Sequence, residues 1–186
     1  SKNPVGTPDD HRAQKLFNYA GDPDGTLAWK QSGFHPVPLT VTELMTSLQS
    51  GMVDAFAVTP LSAAAYQWFG LAKNMCGMKW APLIGGVVIS MKSWKKIPQK
   101  FHNQFLTYAK KIGEDAQTSI DKADKEAVTI MKQHGLKIST VPQQVEARWY
   151  SEVQEGFSMI IGKSFDKASY DKVKHHLNTF RKTNAQ

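Results

Sequence analysis

Six histidines, one cysteine and sixteen acidic side chains are the groups in this chain able to do acid–base, nucleophilic or metal chemistry. Their spacing sets none of it up. His11, His35, His102, His134, His175 and His176 form neither an H-E-x-x-H helix face nor a pair at zinc-ligand spacing. His175 and His176 sit near a helix end, where they meet the helix dipole and solvent. Cys76 is alone, so it makes no internal disulfide or cysteine metal cluster, and it reads as a packing residue. There is no G-x-S-x-G elbow and no Walker phosphate loop. Gly85-Gly86 falls inside a strand-like run, where it permits close backbone approach rather than cradling a phosphate. The expectation is a protein that is not an enzyme and carries no cofactor or metal.

The side chains better placed for function are aromatic or small and polar, suited to holding a guest. Phe17 sits at a strand end beside a glycine turn, as the floor of a cleft or as a plain core residue. Tyr19 and Trp29 add to an aromatic, weakly polar lining. Asp22 lies in the turn after that strand, where ligands approach the carboxyl ends of strands in open α/β sheets. It serves equally as an Asx-turn residue fixing Pro23-Asp24-Gly25. Thr59 opens a helix at Pro60 and can offer its hydroxyl to a ligand, to the helix cap, or to both. Trp68 shares a helix with Leu61, Ala65 and Phe69, which suits core packing as well as ligand contact.

These residues need elements to position them. Residues 15–19 (KLFNY) read as a strand, and Asp24 as the cap of a helix through 26–31 that ends at Gly33. Residues 35–39 read as a second strand, followed by a helix opened by Thr40 or Thr42 and stopped by Gly51. A strand over 52–58 and a Pro60-started helix over 61–69, closed by Gly70, come next. Strand, helix, strand in under thirty residues is a crossover unit and implies a parallel sheet. Two apolar runs, 73–80 and 83–91, are expected as strands, the second central and buried on both faces. From Pro98 to His134 the apolar residues recur every three or four positions, a helix period running for about 55 Å. Gly113 is its one weak place, costing about 1 kcal/mol relative to Ala. Gly135 ends it, 136–141 forms a strand, 142–159 a helix, and Ser164 caps a last helix over 165–181.

Composition narrows the class. At 186 residues, 41% hydrophobic and 21% charged, the chain is an ordinary globular one with room for one good core or two small lobes. Its longest nearly apolar run, 80–91, is too short to span a bilayer. The opening SKNPVGTPDD has no basic start followed by an apolar core, which fits a mature exported protein and a cytoplasmic one alike. The net charge of +7 raises the question of a polyanion partner. Lysines interleave with acids on helices, however, and Arg12, Arg148 and Arg181 are the only arginines, so solvated helix faces are expected and no nucleic acid. A basic nucleic-acid-binding protein is the distant alternative, and a salt-steep DNA affinity would mark it.

Several phrases, in order, carry a family resemblance: a Pro36-x-Pro38 strand, Thr42-Glu43-Leu44, Leu48-Gln49-Ser50-Gly51-Met52-Val53-Asp54, then Pro60-Leu61. Thr7-Pro8-Asp9-Asp10, Val88-Ile89-Ser90 before Trp94, and His134-Gly135-Leu136-Lys137-Ile138 extend it. The chain resembles the DctP-like solute-binding subunits of TRAP transporters, with the likeness running from about Thr7 to Arg181. It implies an α/β fold, a periplasmic-binding-protein-like lobe with a parallel or mixed sheet and a long lobe-spanning helix, the N-terminal lobe mostly missing. Within it, 1–72 is the second-lobe α/β core, 73–97 the hinge-crossing strands, 98–135 the spanning helix, and 136–186 the return strand and closing helices. A fragment is the expected explanation, with self-association through uncovered sheet edges and apolar surface.

The resemblance further implies a periplasmic protein that captures a small organic ligand between lobes and docks on TRAP membrane subunits. Family members usually hold a carboxylate with an arginine on the first strand of this lobe, because a guanidinium pairs both oxygens. Here Phe17 stands at that place, and Thr59 stands where an asparagine is usual, so an ordinary organic acid clamp is not expected. Val41 falls where the family places an apolar cleft residue, with core packing as the other role. Trp80 and Pro82, between the hinge strands, are further candidates to line the cleft. The KLFNYAGDPD, WFG and WAPL phrases look closer to the branch called TPAT, implying a helical-repeat lipoprotein partner. The alternative is then a carrier of an apolar or lipid-like ligand handed to that partner.

Overall fold

The structure is a computed structural model that describes residues 1–184 apart from Trp80, Pro82 and Ile84. It divides into two compact units. The first contains Ser1–Ala57, Leu71–Met78 and the chain from Lys137 onward; the second contains Val58–Gly70 and Lys79–Leu136.

The first unit opens with α1 (Pro8–Arg12), closed at its start by a reciprocal cap. The Thr7 hydroxyl accepts from the Asp10 amide at 3.2 Å, and the Asp10 carboxylate accepts from the Thr7 amide at 2.8 Å. Those bonds hold the Asp10 carboxyl below its usual range. Strand β1 (Lys15–Tyr19) buries three consecutive residues, Leu16, Phe17 and Asn18, so both of its faces are covered. Helix α2 (Pro23–Gln31) follows. Its cap is Asp22 rather than the expected Asp24: the Asp22 carboxylate accepts from the Gly25 amide at 2.9 Å, and Pro23 takes the first helical position. Strand β2 (His35–Leu39) then pairs parallel with β1, from Lys15 opposite His35 to Tyr19 opposite Leu39.

A 3₁₀ turn over Val41–Glu43 leads into α3 (Leu44–Ser50), which buries Leu44 and Leu48. Gly51 ends α3 at φ 75°, the left-handed region. Nothing blocks a side chain there, so Gly51→Ala is expected to lower stability by about 1 kcal/mol through backbone strain alone, read as a shift in urea midpoint.

The expected strand over 52–58 shrinks to one parallel bridge, Leu16 to Ala55. Both the Asp54 and Ala55 amides donate to the Lys15 carbonyl, at 2.8 and 3.1 Å, and the Asp54 carboxylate takes the Lys15 amide. Two amides spent on one carbonyl, with a side chain filling the next position, stop the ladder. The parallel strand–helix–strand unit is therefore β1–α2–β2, one step earlier than 35–58.

In the second unit α4 (Pro60–Ala65) is capped by Thr59, whose hydroxyl accepts from the Ser62 amide at 3.2 Å. It stops short of the expected residue 69 because Gln67 adopts φ 57°, and a 3₁₀ turn over Trp68–Gly70 replaces the last helical turn.

Back in the first unit, β3 (Asn74–Cys76) covers three of the residues expected over 73–80. The run expected as a central strand over 83–91 forms no strand among its described residues. Leu83, Val87 and Val88 are almost fully exposed, and among the described residues no strand pairs with them. In the second unit α5 (Met91–Trp94) follows, capped by Ser90.

Helix α6 (His102–Gln133) has 32 residues, about 48 Å at 1.5 Å each, and fulfils the long-helix expectation. It packs against α4, burying Ala127 and Met131, and its Asp124 carboxylate accepts from the Leu61 amide at 2.8 Å. Gly135 closes it at φ 93°.

The first unit resumes with β4 (Lys137–Ser139), parallel to β3 in the register Asn74 to Lys137. A Cβ on Gly77 would lie 2.7 Å from the Ser139 carbonyl, so that approach requires glycine. Helix α7 (Gln143–Ser158) starts after Pro142, and α8 (Lys167–Asn184) ends the described chain. Its cap is Asp166, which accepts from the Ser169 amide at 2.8 Å, in place of the expected Ser164. One core cluster of this unit is Val5, Phe34 and Trp149, packed with Trp29, Cys76, Met78, Val141 and Val145, and Leu16, Phe17, Leu44, Leu48, Val53 and Ala55 are buried in the same unit. Among the described residues no helix is long and apolar enough to cross a membrane.

Candidate ligand-binding site

Because β1 and β2 run parallel and in register, their carboxyl ends finish side by side at Tyr19 and Leu39. The Ala20 amide donates to the Leu39 carbonyl at 3.0 Å, which carries the pairing one residue into the turns. From β1 the chain turns through Asp22 into α2; from β2 it turns through Thr40 and Val41 towards α3. Ends of parallel strands are where open α/β sheets take their ligands, since the loops there converge on one side of the sheet.

The turn after β1 is pinned from below. Asn18, buried, donates from Nδ2 to the Thr26 hydroxyl at 2.7 Å and to the Asp22 carbonyl at 3.3 Å. The Thr26 hydroxyl donates to the same carbonyl at 2.9 Å, and the Asp22 amide donates to the Tyr19 carbonyl at 3.0 Å. Asn18 is not among the residues expected at the site; its signal in the sequence is a lone amide between two aromatic residues, Phe17 and Tyr19.

Tyr19 is 47% exposed and Val41 36% exposed, so both present surface at this end of the sheet. Phe17 is buried, its ring edge-on to Tyr19 with centroids 5.0 Å apart. It supports Tyr19 from beneath. Asp22 is exposed and caps α2 with one carboxylate oxygen. Beside Val41, the Glu43 carboxylate accepts from the Thr40 amide at 2.8 Å and the Thr40 hydroxyl at 2.6 Å, which holds its carboxyl below the usual range. The turn after β2 is thus fixed as firmly as that after β1.

Of the eight residues expected at the site, Phe17, Tyr19, Asp22 and Val41 share this strand end. Thr59 and Trp68 belong to the second unit. Thr59 caps α4, its hydroxyl 2.9 Å from that of Ser62. Trp68 is buried and stacks on exposed Tyr66, with centroids 4.7 Å apart and planes 13° from parallel. Trp80 and Pro82 lie outside the described residues. Among the described residues no group of three or more His, Cys, Asp or Glu side chains is placed to hold a metal ion.

Residues 1–163 match the family model DctP, bacterial extracellular solute-binding protein, family 7. The chain belongs to this family. Family 7 is one of binding proteins rather than catalysts, and its description places members outside the cytoplasm. Solved structures share the fold. A TRAP periplasmic solute-binding protein from Pseudomonas putida F1, with bound D-glucuronate, is 17% identical with a TM-score of 0.75. The match covers 96% of this chain and 55% of that one. A second, from Xanthobacter autotrophicus Py2 with bound β-D-galacturonate, is 16% identical with a TM-score of 0.75, over 94% of this chain and 56% of that one. A third, from Citrobacter koseri in an apo, open state, is 22% identical with a TM-score of 0.66, over 83% and 53%. No curated protein matches the chain. The family 7 chain thus has an α/β, periplasmic-binding-protein-like fold, and it spans about half the length of the solved structures it matches.

Proposed function

We propose that this chain is the second half of a periplasmic, TRAP-type solute-binding subunit that seats a small organic ligand at the carboxyl ends of β1 and β2. The observation that carries the reading is the strand end itself. Two in-register parallel strands finish together, their turns locked by Asn18 and Glu43, with Tyr19, Val41 and Asp22 presented outward. Preorganised turns of this kind reduce the ordering cost of binding. Two of the three solved relatives named above hold glucuronate or galacturonate. In this chain Phe17 replaces the usual arginine, so the ligand is held by ring contact and hydroxyl or backbone hydrogen bonds.

The mechanism is physical. Ligand contacts made from this lobe and from a companion lobe lower the free energy of the closed arrangement over the open one. Segments 57–60 and 85–90 absorb the rotation, and the closed form docks on TRAP membrane subunits. Support for the first hinge is that the chain passes from one compact unit to the other between Ala57 and Val58. Thr59, Trp68, Trp80 and Pro82 stay in this reading as ligand candidates on the family resemblance alone, and the division at 72, 97 and 135 follows from it.

A second reading has the same seat taking an apolar or lipid-like ligand, passed to a helical-repeat lipoprotein of a TPAT-type system. The aromatic pair Phe17–Tyr19 in place of a cation favours it. Native mass spectrometry of protein purified without added ligand separates the two. A small organic acid adduct is expected for the importer, and an aliphatic adduct selects the carrier. Protein that arrives empty and takes up neither D-galacturonate nor palmitate overturns both.

A further inference from the structure

The core of the first unit contains one titratable group that the ligand reading does not use. The His11 ring, on α1, lies against three aromatic rings from three other segments. Its centroid is 6.1 Å from that of Trp29 on α2, 5.7 Å from Phe34 before β2, and 5.7 Å from Trp149 on α7. Its Nδ1 is buried and has no hydrogen-bond partner. Burial pushes the imidazole down from 6.5 to about 4, and the nearby Ser1 ammonium pushes the same way.

The charged groups around this box are already committed to one another. On α1, Asp9 accepts from Arg12 Nη1 at 3.0 Å and from Arg148 Nη1 and Nη2 at 2.7 and 2.9 Å. Asp10 is taken by the Thr7 and Gly6 amides. On α7, Glu152 accepts from Arg12 Nη2 and, at 2.7 Å, from Arg148 Nε, while Glu146 accepts from the Tyr150 hydroxyl. Arg12 also lies over the Phe34 ring at 4.7 Å. Lys30 on α2 and His35 on β2 are exposed, and both are of like sign to an imidazolium when charged. Asp9, Asp10, Glu146 and Glu152 are thus already bonded elsewhere, and the remaining carboxylates of α2 and α7, Asp24 and Glu155, are exposed to solvent. Attraction to the three rings offsets part of the cost of protonation but supplies no acceptor for Nδ1–H.

We propose that His11 is an acid-sensitive latch: on taking up a proton the imidazole leaves the box formed by Trp29, Phe34 and Trp149, and α7 loosens from α1 and α2. The box is one of two places where α7 is fastened, the other being its ion pairs with α1, Asp9–Arg148 and Arg12–Glu152. Trp149 reaches across it to donate from Nε1 to the Gly6 carbonyl at 3.2 Å, and α7 packs directly on α2. Since α2 begins at Asp22, opening the latch also frees one side of the strand-end seat. That last consequence rests on the proposed function, whereas the latch does not.

The test is ligand-free and uses the whole chain. Near-ultraviolet circular dichroism and tryptophan emission are followed from about pH 8 to 3.5 for wild type, His11→Leu and Glu152→Gln, with far-ultraviolet signal as a check on the helices. The expected result is a reversible loss of the aromatic signal in wild type, with a midpoint between 6.5 and about 4 and the helical signal retained. His11→Leu should lack it and Glu152→Gln should keep it. An unchanged midpoint in His11→Leu, or loss of the transition in Glu152→Gln alone, overturns the proposal. If His11→Leu does not fold, imidazole resonances of wild type decide, assigned with His11→Gln. A His11 titration that moves the Trp149 indole at the same midpoint supports the latch, and an ordinary titration with the indole unmoved overturns it.

Discussion

Trp149→Ala is expected to remove about 3–5 kcal/mol of folding stability, the usual range for truncating a fully buried large aromatic. The urea midpoint should fall with the slope of the transition little changed. Trp149 is 2% exposed and belongs to a buried cluster of the first unit with Phe34, Val141 and Val145. Truncation leaves a cavity bounded by elements that cannot close it, because α7 is tied to α1 by the Asp9–Arg148 pair on one side of the same helix. It also leaves the Gly6 carbonyl without the indole donor. Trp149→Phe keeps most of the volume and should cost much less. Phe180→Ala is the contrasting case: at 65% exposed on α8, it should change stability by less than about 0.5 kcal/mol.

Acidification should weaken the same unit through His11. In the folded chain its imidazole is held at about 4, against 6.5 when unfolded. Above 6.5 the group is neutral in both states and contributes no pH dependence. As pH falls below 6.5 the unfolded chain takes up a proton that the folded chain refuses, so folding stability declines. The decline ends near 4, where the folded form protonates too, and its full span is about 3 kcal/mol. If the latch opens locally, the loss is capped at the free energy of that opening. His11→Leu should remove the His11 part of this decline and leave the part due to the buried Ser1 amine, which burial lowers from 8.0 to about 5 and which therefore also weakens the fold as pH falls. It should leave the fall at lower pH, where Asp9, Asp10, Glu43 and Asp166, all depressed by hydrogen bonds or ion pairs, take up their protons.

What the sequence reveals depends on whether a feature is local. Glycine stops at 51 and 135 are local, since only the left-handed region is at issue, and both stand where expected. Strands β1 and β2 were legible because each is a short apolar run bounded by turn residues. The cap of α2 was misplaced by two positions, since Asp22 and Asp24 flank Pro23 and the proline's preference for the first helical position decides between them. Residues 52–58 and 83–91 have strand composition, yet a strand also needs a partner. Asp54 spoils the first ladder, and among the described residues no strand lies beside the second. At the candidate site, Asp22 and Tyr19 were readable from the turn that follows β1. Spacing along β1 puts Phe17 and Tyr19 on one face, but that Phe17 is covered while Tyr19 is not, and that Asn18 pins the turn through Thr26, depends on how α2 packs. The box around His11 joins residues more than a hundred positions apart, so only the fold shows it.

The central claim is that a guest sits on Tyr19 at the ends of β1 and β2. Thermal unfolding of wild type and Tyr19→Ala, each with D-galacturonate, D-glucuronate, orotate or palmitate, tests it directly. Binding to the folded state raises the melting temperature with ligand concentration. At least one of these four is expected to stabilise wild type, and Tyr19→Ala to lose this gain while keeping its ligand-free melting temperature, because the ring is half exposed. Equal stabilisation of both proteins, or none of wild type by any of the four, contradicts the claim.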